Sequence, residues 1–260
     1  MTPVLVQAQV VRAHPVGSYH LLALRAPEVA AAAVPGQFVS IAPPPSAASI
    51  LRRPFSVYAT SGPEVSIVFD AVGPTTGWLA RRAPGDVVDL EGPLGHGFDL
   101  PEGHGDDVLV GGGYGTAALS MLGTVLRQRG RRVRAVIGAR TSARLLDDPV
   151  LRAVTESVEV TTEDGSAGRR GRVTDVLGDL ISGGNSGTVF ACGPMGMLRA
   201  VATEARDSGV PCQIAVEEFM ACGIGVCWTC VVPVRADEGV RHARGCSEGP
   251  VFDAERVVWQ

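Results

Sequence analysis

Four cysteines near the C-terminal end of the chain have the spacing of a metal-cluster site. They follow the pattern C-x4-C-x2-C-x15-C and are Cys222, Cys227, Cys230 and Cys246. The first three are spaced as in plant-type [2Fe–2S] proteins, in which four thiolates hold two irons. Gly223 and Gly225 follow the first cysteine, where positive φ angles would turn backbone N–H groups toward sulfur. The segment therefore predicts a site that carries one electron at a time.

Two other uses of these cysteines stay open at this point. A structural zinc site usually has two C-x2–4-C pairs, whereas only Cys227 and Cys230 form such a pair here. Disulfides would require an oxidising compartment, and nothing in the sequence indicates one. The iron–sulfur interpretation is the one that the spacing favours.

A glycine-rich turn at residues 111–115 lies where a predicted strand meets a predicted helix. Glycines there permit a tight turn, and a helix N-terminus offers free N–H groups to a pyrophosphate. Packing between elements is the alternative use of such a turn. A second strand–helix turn, Ala191–Met195, is expected to line the same crevice. Cys192 in that turn would contact a nicotinamide or be a small buried residue, and Cys212 is expected in the core.

The elements that must position these groups fall into two regions with different rhythms. Residues 1–100 contain short β-type runs too closely spaced for long helices, which predicts an antiparallel barrel or sandwich. Its strands are expected at Val4–Val11, Tyr19–Leu24, Gln37–Ile41, Arg53–Ala59, Val65–Val72 and Asp86–Leu90, with a single helix at Thr75–Arg82. A glycine- and proline-rich passage up to residue 105 predicts a domain junction.

From residue 106 onward, strand and helix patterns alternate, which predicts a parallel sheet covered by helices. Strands are expected at Asp107–Val110, Arg132–Ile137, Val158–Thr161, Gly187–Ala191 and Gln213–Val216. Helices are expected from the glycine turn to about Arg129, and at Ala143–Val154, Val173–Leu180 and Met195–Ser208. From Glu217 the alternation ends, and the chain is organised around the cysteines.

Composition excludes several classes of function. The net charge of −4 gives no support to nucleic-acid binding or to a polybasic membrane contact. All 23 basic residues are arginine, which removes lysine chemistry. The N-terminal sequence has no signal-peptide pattern, and no apolar run reaches the ~18 residues of a membrane span, so a cytoplasmic protein is predicted. The five histidines, His104 among them, show no ligand spacing, and no hydrolytic motif is present.

The order of the motifs resembles the ferredoxin-reductase family. The shared motifs are Pro35–Phe38, Arg53–Ser56, Gly73–Thr76, Gly111–Leu119 and Cys192–Pro194. The run Glu217–Cys222, the cysteine loop and residues 245–252 narrow the resemblance to the electron-transfer subunits of type B dihydroorotate dehydrogenases. The resemblance implies an antiparallel six-stranded flavin-binding barrel at 1–100, a parallel-sheet NAD-binding domain at 101–216 and a small [2Fe–2S] segment at 217–260.

The resemblance also implies roles for residues that match the family motifs. Arg53 would meet the FAD pyrophosphate, within the motif that includes Pro54 and Phe55, and Ser56 would lie near the flavin ring. The remaining flavin contacts would be Asp70, Ala71 and Val72 beside the ring, with Thr75 and Thr76 at the phosphates. The NAD contacts would be Gly112, Gly113, Gly115, Thr116, Cys192, Gly193, Pro194 and Met195. Ser56 and Cys192 are the candidate catalytic residues, and the four cysteines would hold the cluster.

The implied activity is an electron relay in pyrimidine biosynthesis. An FMN-containing catalytic subunit would oxidise dihydroorotate, and electrons would pass through [2Fe–2S] and FAD to NAD⁺, in a heterotetramer of two subunits of each kind. Glu163, Asp164 and Arg140 are candidate adenosine contacts. This chain departs from the usual motifs at Thr75, Tyr114 and Ala118, where the family commonly has glycine, an aliphatic residue and proline.

A related reductase subunit that serves another acceptor stays open as an alternative. That acceptor would be a ferredoxin, a sulfur- or hydrogen-linked partner, or an oxygenase. Relatives that bifurcate electrons usually have aspartate at the first ligand position, so Cys222 favours the dihydroorotate family. A zinc-binding interaction module is the remaining possibility, and it predicts a colourless protein.

Overall fold

Seven strands of the first region form one antiparallel sheet in the computed structural model, which describes residues 2–44, 49–102, 105–182 and 186–259. His104 lies outside the described residues, as does part of the predicted junction. In spatial order the strands are β4 (Arg53–Ser56), β3 (Phe38–Ile41), β7 (Val87–Leu94), β1 (Val4–Val16), β2 (Tyr19–Arg25), β6 (Glu64–Phe69) and β5 (Ala59–Ser61). The inward side chains of β1, β2, β3, β6 and β7 form one apolar core.

The two edge strands of this sheet, β4 and β5, belong to one short stretch of chain. Between them, the Val57 N–H donates to the Gln37 carbonyl at 2.9 Å, and the Tyr58 N–H donates to the Ser66 carbonyl at 2.9 Å. The stretch thus leaves β3 and joins β6, which closes the sheet into a barrel. The strand predicted at Arg53–Ala59 is therefore two short strands, β4 and β5. Counted as one stretch of chain, they leave six strands around the barrel, so the predicted six-stranded barrel is confirmed.

Helix α1, Pro27–Ala32, was not expected from the sequence, and the prediction of a single helix in this region was wrong. Pro27 occupies its first turn, where the missing N–H costs nothing; Val29 packs into the barrel core, and Ala30 is also buried. Helix α2, Pro74–Leu79, corresponds to the helix that was predicted.

The second sheet has seven strands, and β16 alone among them runs antiparallel to its neighbour. In spatial order they are β11 (Arg169–Arg170), β10 (Ser157–Thr162), β9 (Arg132–Ala139), β8 (Asp106–Gly112), β12 (Ser186–Cys192), β13 (Cys212–Ala215) and β16 (Val251–Asp253). Its helices are α3 (Ala117–Gln128), α4 (Pro149–Val154), α5 (Thr174–Ile181) and α6 (Met195–Asp207). The predicted parallel sheet is confirmed, and β16 brings the end of the chain back into it.

Helix α4 is shorter than the Ala143–Val154 helix that the sequence predicts. Pro149 disfavours helical backbone at the residue before it, so the helix starts at the proline. The Asp148 side chain accepts a hydrogen bond from the Val150 N–H at 2.9 Å and caps the helix. Upstream, Ser142–Arg144 forms only one 3₁₀ turn.

The segment that follows β13 contains the cysteine loop and a hairpin that the sequence did not indicate. Strands β14 (Val231–Ala236) and β15 (Gly239–Arg244) pair antiparallel within residues 217–258. The hairpin carries Cys230 at its entrance and Cys246 just past its exit, so it brings the last two ligands together. No helix in the described ranges is both long and apolar enough to cross a membrane.

Residues 142–148 of the second domain contact the barrel through hydrogen bonds. The Tyr19 hydroxyl donates to the Arg144 carbonyl at 2.6 Å, and the Tyr58 hydroxyl donates to the Asp148 carboxylate at 2.6 Å. The Ser120 hydroxyl also donates to Asp148, which is buried. Since Tyr19 and Tyr58 belong to the barrel, these bonds fix the orientation of one domain against the other.

Candidate functional site: a cysteine loop beside a nucleotide crevice

The four predicted ligands lie together in the cysteine loop and the turn that follows the hairpin. The Cys227 N–H donates to Cys222 Sγ at 3.5 Å, the Cys246 N–H donates to Cys230 Sγ at 3.4 Å, and all four thiols are free of disulfides. Within the described residues, no three or more His, Cys, Asp or Glu side chains converge on a position for one metal ion. Four neighbouring thiolates suit a cluster in which each of two irons takes two of them.

Backbone N–H groups point at the sulfurs of this loop. The Gly225 N–H donates to Cys246 Sγ at 3.1 Å, and the Val226 N–H donates to Cys222 Sγ at 3.4 Å. Gly223 and Gly225 have φ angles of 74° and 84°, so the expected left-handed turns are confirmed. Because amides near sulfur stabilise negative charge, this loop is suited to thiolates and sulfides.

The surroundings of the cysteines differ, and so do their proton affinities. The Thr229 hydroxyl donates to Cys227 Sγ at 3.1 Å and lowers the pKa of this exposed thiol to about 6. Burial raises the pKa of Cys246 to about 12. Cys227 is thus ionised at neutral pH and accessible to an incoming metal.

One further polar atom beside the loop fits a cluster. The buried Ser247 hydroxyl has no hydrogen-bond partner in the described part of the chain, and it lies against Gly225. A hydroxyl in that position requires an acceptor, and a cluster sulfide would provide one. The donor set, the amides and this hydroxyl together fit a [2Fe–2S] group held by Cys222, Cys227, Cys230 and Cys246.

A crevice with a volume of about 500 Å³ lies at the carboxyl ends of β8, β9 and β10. It is lined by Tyr19, Gly112, Gly113, Tyr114, Gly138, Ala139, Arg140, Arg144, Thr161, Glu163, Gly171, Arg172, Val173, Thr174, Pro194, Gly196, Met197, Ala200 and Glu217. This is where ligands bind in open parallel sheets, and an extended nucleotide suits its size.

The two predicted turns meet in the crevice because glycines let them approach. A Cβ atom on Gly112 would lie 2.6 Å from Met197 Sδ, and one on Gly115 would lie 2.9 Å from the Cys192 carbonyl oxygen. Gly193 has a φ of 154°, and a Cβ there would lie 3.0 Å from Gly112 Cα. The glycines therefore serve the packing of the two turns as well as the shape of the crevice.

Predicted NAD contacts occupy different depths of this region. Gly112, Gly113 and Pro194 line the crevice, while Thr116 and Cys192 are buried behind it. Met195 packs against the core, and Met197, two residues further along the helix, lines the crevice. Of the proposed adenosine contacts, Arg140 and Glu163 line the crevice. Side-chain contact of Cys192 with a nicotinamide stays a prediction, as does the catalytic role of Ser56 at the end of β4.

Tyr114 and Glu217 form a contact that the sequence did not single out. The Tyr114 hydroxyl donates to Glu217 Oε2 at 3.2 Å, and the Tyr114 ring lies 6.1 Å from that of Tyr19. Burial, followed by the neighbouring Glu217 carboxylate, raises the pKa of the Tyr114 phenol. The phenol is thus near residues of both domains. From the sequence, only the position of Tyr114 within the glycine-rich turn indicated that its side chain would lie near the crevice.

Glu217 has a pKa raised by desolvation, which the Tyr114 hydrogen bond partly offsets. In Tyr114→Phe the ionised carboxylate loses its donor, so the pKa of Glu217 should rise further. The acid limb of the pH profile for NADH oxidation by an artificial dye should then move to higher pH. Tyr19→Phe is the matched control, because its hydroxyl donates to the Arg144 carbonyl instead. An unmoved limb in Tyr114→Phe would show that Glu217 does not control this step.

The predicted flavin side of the barrel contains two polar groups without an obvious structural use. Arg53 donates to the carbonyls of Leu51 and Arg52 at 3.0 and 3.2 Å and to the Ser49 hydroxyl at 3.2 Å, and within the described residues it forms no salt bridge to a carboxylate. The buried Thr75 hydroxyl, in the first turn of α2, has no hydrogen-bond partner in the same part of the chain. A guanidinium without a carboxylate partner and an unsatisfied hydroxyl suit phosphate oxygens, so these residues fit the diphosphate of FAD.

The other predicted flavin residues lie along the same part of the barrel. The centroids of the Phe55 and Phe69 rings are 5.5 Å apart, so the end of β4 packs beside the end of β6, which the segment with Asp70 follows. Phe55 is buried in the core, so it would reach a flavin only through its backbone. Pro54 is half-buried, Ala71 and Val72 are exposed, and the Asp70 carboxylate pairs with Arg144. The Thr76 hydroxyl bonds to the Gly73 backbone, which leaves Thr75 as the freer of the two threonines.

Neighbouring arginines provide a matched test of this assignment. Arg53→Gln should weaken FAD binding by 10- to 100-fold, because it removes a charge-assisted contact to phosphate, about 1.5–3 kcal/mol. Arg52→Gln should have little effect on FAD, since Arg52 pairs with Asp89 and Glu91. Fluorescence titration of flavin-depleted protein with FAD measures both. Equal losses in the two variants would contradict a specific role for Arg53.

Comparison with known proteins agrees with this geometry. Residues 217–258 match the family described as the iron–sulfur cluster binding domain of dihydroorotate dehydrogenase B. Residues 109–203 match the oxidoreductase NAD-binding domain. The electron transfer subunit of dihydroorotate dehydrogenase B (NAD(+)) from Desulforamulus reducens is 34% identical over 237 residues, which is 90% of each chain. The subunit of the same name from Geobacillus kaustophilus is 40% identical over 228 residues, 86% of each chain.

Solved structures show the same architecture. A structure of an NADH-dependent reduced ferredoxin-NADP oxidoreductase, studied for flavin-based electron bifurcation, superposes with a TM-score of 0.85 at 30% identity. The match covers 98% of this chain and 90% of that chain. The ferredoxin reductase of carbazole 1,9a-dioxygenase shares the fold, with a TM-score of 0.67 at 21% identity over 81% of this chain and 68% of that chain. The chain therefore belongs to the family of electron transfer subunits of dihydroorotate dehydrogenase B (NAD(+)), which are NAD-linked flavin and iron–sulfur oxidoreductases.

Proposed function

We propose that this chain relays electrons from the FMN of a dihydroorotate dehydrogenase catalytic subunit, through [2Fe–2S] and FAD, to NAD⁺. One observation carries the proposal: the cysteine segment contacts both domains. Glu217 lines the nucleotide crevice, and Cys222 follows five residues later, a stretch that spans at most about 18 Å. Cys230 and Cys246 pack with Phe38 and Leu94 of the barrel. Phe38 pairs with Ser56, a predicted flavin contact, so the cysteine segment has neighbours in both proposed binding regions, which supports a short electron path.

Flavins exchange electrons singly or as a hydride, whereas an iron–sulfur cluster takes one at a time, which is why a relay between these partners needs both. The protein supplies position and environment. Arg53 and Thr75 would hold the FAD diphosphate, while Gly112, Gly113 and Pro194 would hold the dinucleotide at the sheet edge. The hydrogen-bonded pair Tyr114 and Glu217 lines the crevice and would be available to hold or donate a proton there.

The proposed partner is an FMN-containing catalytic subunit, in an assembly of two chains of each kind. Four exposed apolar side chains lie within eight residues of the exposed Cys227 in sequence, and they suit a protein contact that excludes water from the electron path. They are Phe219, Ile224, Val226 and Trp228, which are 62%, 51%, 71% and 54% exposed. We also propose a cytoplasmic location, supported by six free cysteines that a reducing compartment would preserve.

Reconstitution with the partner tests the proposal. The chain is purified anaerobically, mixed with an FMN-containing dihydroorotate dehydrogenase subunit, and assayed for dihydroorotate-dependent reduction of NAD⁺. NADH formation should require both chains and should disappear in Cys227→Ser. If the coloured chain oxidises NADH with dyes but neither binds the partner nor supports dihydroorotate turnover, the pyrimidine assignment fails. A reductase for another acceptor would then be the correct function.

A further inference from the structure

Trp228, between the ligands Cys227 and Cys230, has backbone strain that requires an explanation. Its φ is 59°, and among the described residues no other non-glycine residue has a positive φ. Bulky side chains adopt this conformation only where surrounding contacts hold them in it. The Trp228 side chain is half-exposed, so burial in a core does not hold it.

Arg244 provides the contact that holds Trp228. Its guanidinium carbon lies 4.9 Å from the centroid of the Trp228 ring, which is cation–π geometry. Arg244 Nη1 also donates to the Gly225 carbonyl at 3.1 Å. One side chain therefore grips the cysteine loop at two points, one on each side of Cys227.

The backbone of Arg244 organises the segment that carries the fourth ligand. Its carbonyl accepts from the N–H groups of Ser247 and Glu248 at 3.2 and 2.8 Å, which forms the turn around Cys246. Glu248 Oε1 in turn accepts from the Arg244 N–H at 3.0 Å and from Nε at 3.3 Å. Arg244 thus connects the loop at 222–230 with the turn that carries Cys246.

We infer that Arg244 is the positioning residue of the cluster site: it holds Trp228 in its left-handed conformation and so keeps the backbone N–H groups of Gly225 and Val226 directed at the sulfurs. This goes beyond the relay itself, and it rests on the assignment of an iron–sulfur cluster to the cysteine loop. Arg244 also places a positive charge near the site, which favours the reduced, more negative cluster.

The test measures cluster release and reduction potential in the whole chain without any partner, so its result does not depend on the proposed donor. Under excess chelator, Arg244→Gln should lose the visible absorbance of the cluster at least tenfold faster than the unmodified protein. Substitution of residues that support metal ligands typically weakens metal binding by such a factor. Its midpoint potential, from an EPR-monitored titration, should be more negative. Arg244→Lys keeps the charge but not the planar fork, so it should recover the potential in part and release the cluster as fast as the glutamine variant.

Two further variants separate positioning from general damage. Arg241→Gln is the matched control, because Arg241 also pairs with Glu248 and lies on the same hairpin, whereas the contacts to Gly225 and Trp228 are made by Arg244. Its release rate should stay within twofold of the unmodified protein. Trp228→Gly removes the strain, so adding Arg244→Gln to it should accelerate release by less than threefold. An undiminished tenfold effect in that background would overturn the proposal, as would normal release and potential in Arg244→Gln.

Discussion

Replacing Cys230 with serine is expected to abolish the cluster and, with it, electron transfer from a catalytic partner to NAD⁺. Cys230 is buried beside Cys246 and packs with Phe38 and Leu94 of the barrel, so water cannot take the place of its sulfur. A hydroxyl is a far weaker ligand for iron than a thiolate. We expect loss of the visible charge-transfer absorbance and a decrease of at least 100-fold in dihydroorotate-dependent NADH formation.

The flavin and nucleotide sites should survive this change, which gives the experiment an internal reference. Oxidation of NADH by a dye that accepts electrons from flavin should stay within a few-fold of normal. Cys212→Ala serves as the control, because Cys212 is also buried but lies in β13, away from the cysteine loop. Retention of the absorbance in Cys230→Ser would rule out Cys230 as a ligand.

Asp148→Ala is expected to cost about 3–7 kcal/mol of folding free energy. The buried carboxylate accepts from the Tyr58 hydroxyl, the Ser120 hydroxyl and the Val150 N–H. Its removal leaves two buried hydroxyls unsatisfied, at about 1–3 kcal/mol each, and removes a helix cap worth about 1 kcal/mol. Urea unfolding of flavin-loaded protein, followed by circular dichroism, measures the loss.

The adjacent Asp147 is a matched control for this variant. Its side chain is 57% exposed and pairs with Arg152 at the surface, so Asp147→Ala should cost less than about 1 kcal/mol. Because Tyr58 belongs to the barrel, Asp148→Ala should also loosen the domain junction and raise the KM for NADH. Similar unfolding midpoints for the two variants would show that the junction does not depend on Asp148.

Sequence patterns indicated the elements whose signal is local. The period-two runs of the barrel, the strand–helix alternation and the cysteine spacing all lie within short windows, and the structure contains them. The boundary of α4 was visible in principle, since Pro149 stands inside the predicted helix. The hydrophobic pattern of Pro27–Ala32 was too short to distinguish a helix from an alanine run.

The residues that were missed are those whose role depends on distant parts of the chain. Tyr19 lies on a barrel strand and reaches the nucleotide crevice only because residues 142–148 fold against it. Arg244 meets Trp228 through the β14–β15 turn, which no local pattern specifies. Glu217 was noted as part of a motif, but its contact with Tyr114 spans 103 positions in sequence. Such contacts are products of tertiary structure and leave no periodic trace.

The return of the chain to the second sheet makes the cysteine segment an insertion whose two ends meet. The Val216 N–H donates to the Pro250 carbonyl at 2.9 Å, and β16 then pairs with β13. Residues 217–249 therefore leave and re-enter the sheet at the same place. A two-residue turn would join β13 to β16 as an ordinary hairpin, with little change in the entropy of closing the chain. The strand order of the second sheet therefore does not depend on the iron–sulfur segment, but its core does, because Val232, Val234 and Ala243 of the hairpin pack in the same apolar cluster as the sheet.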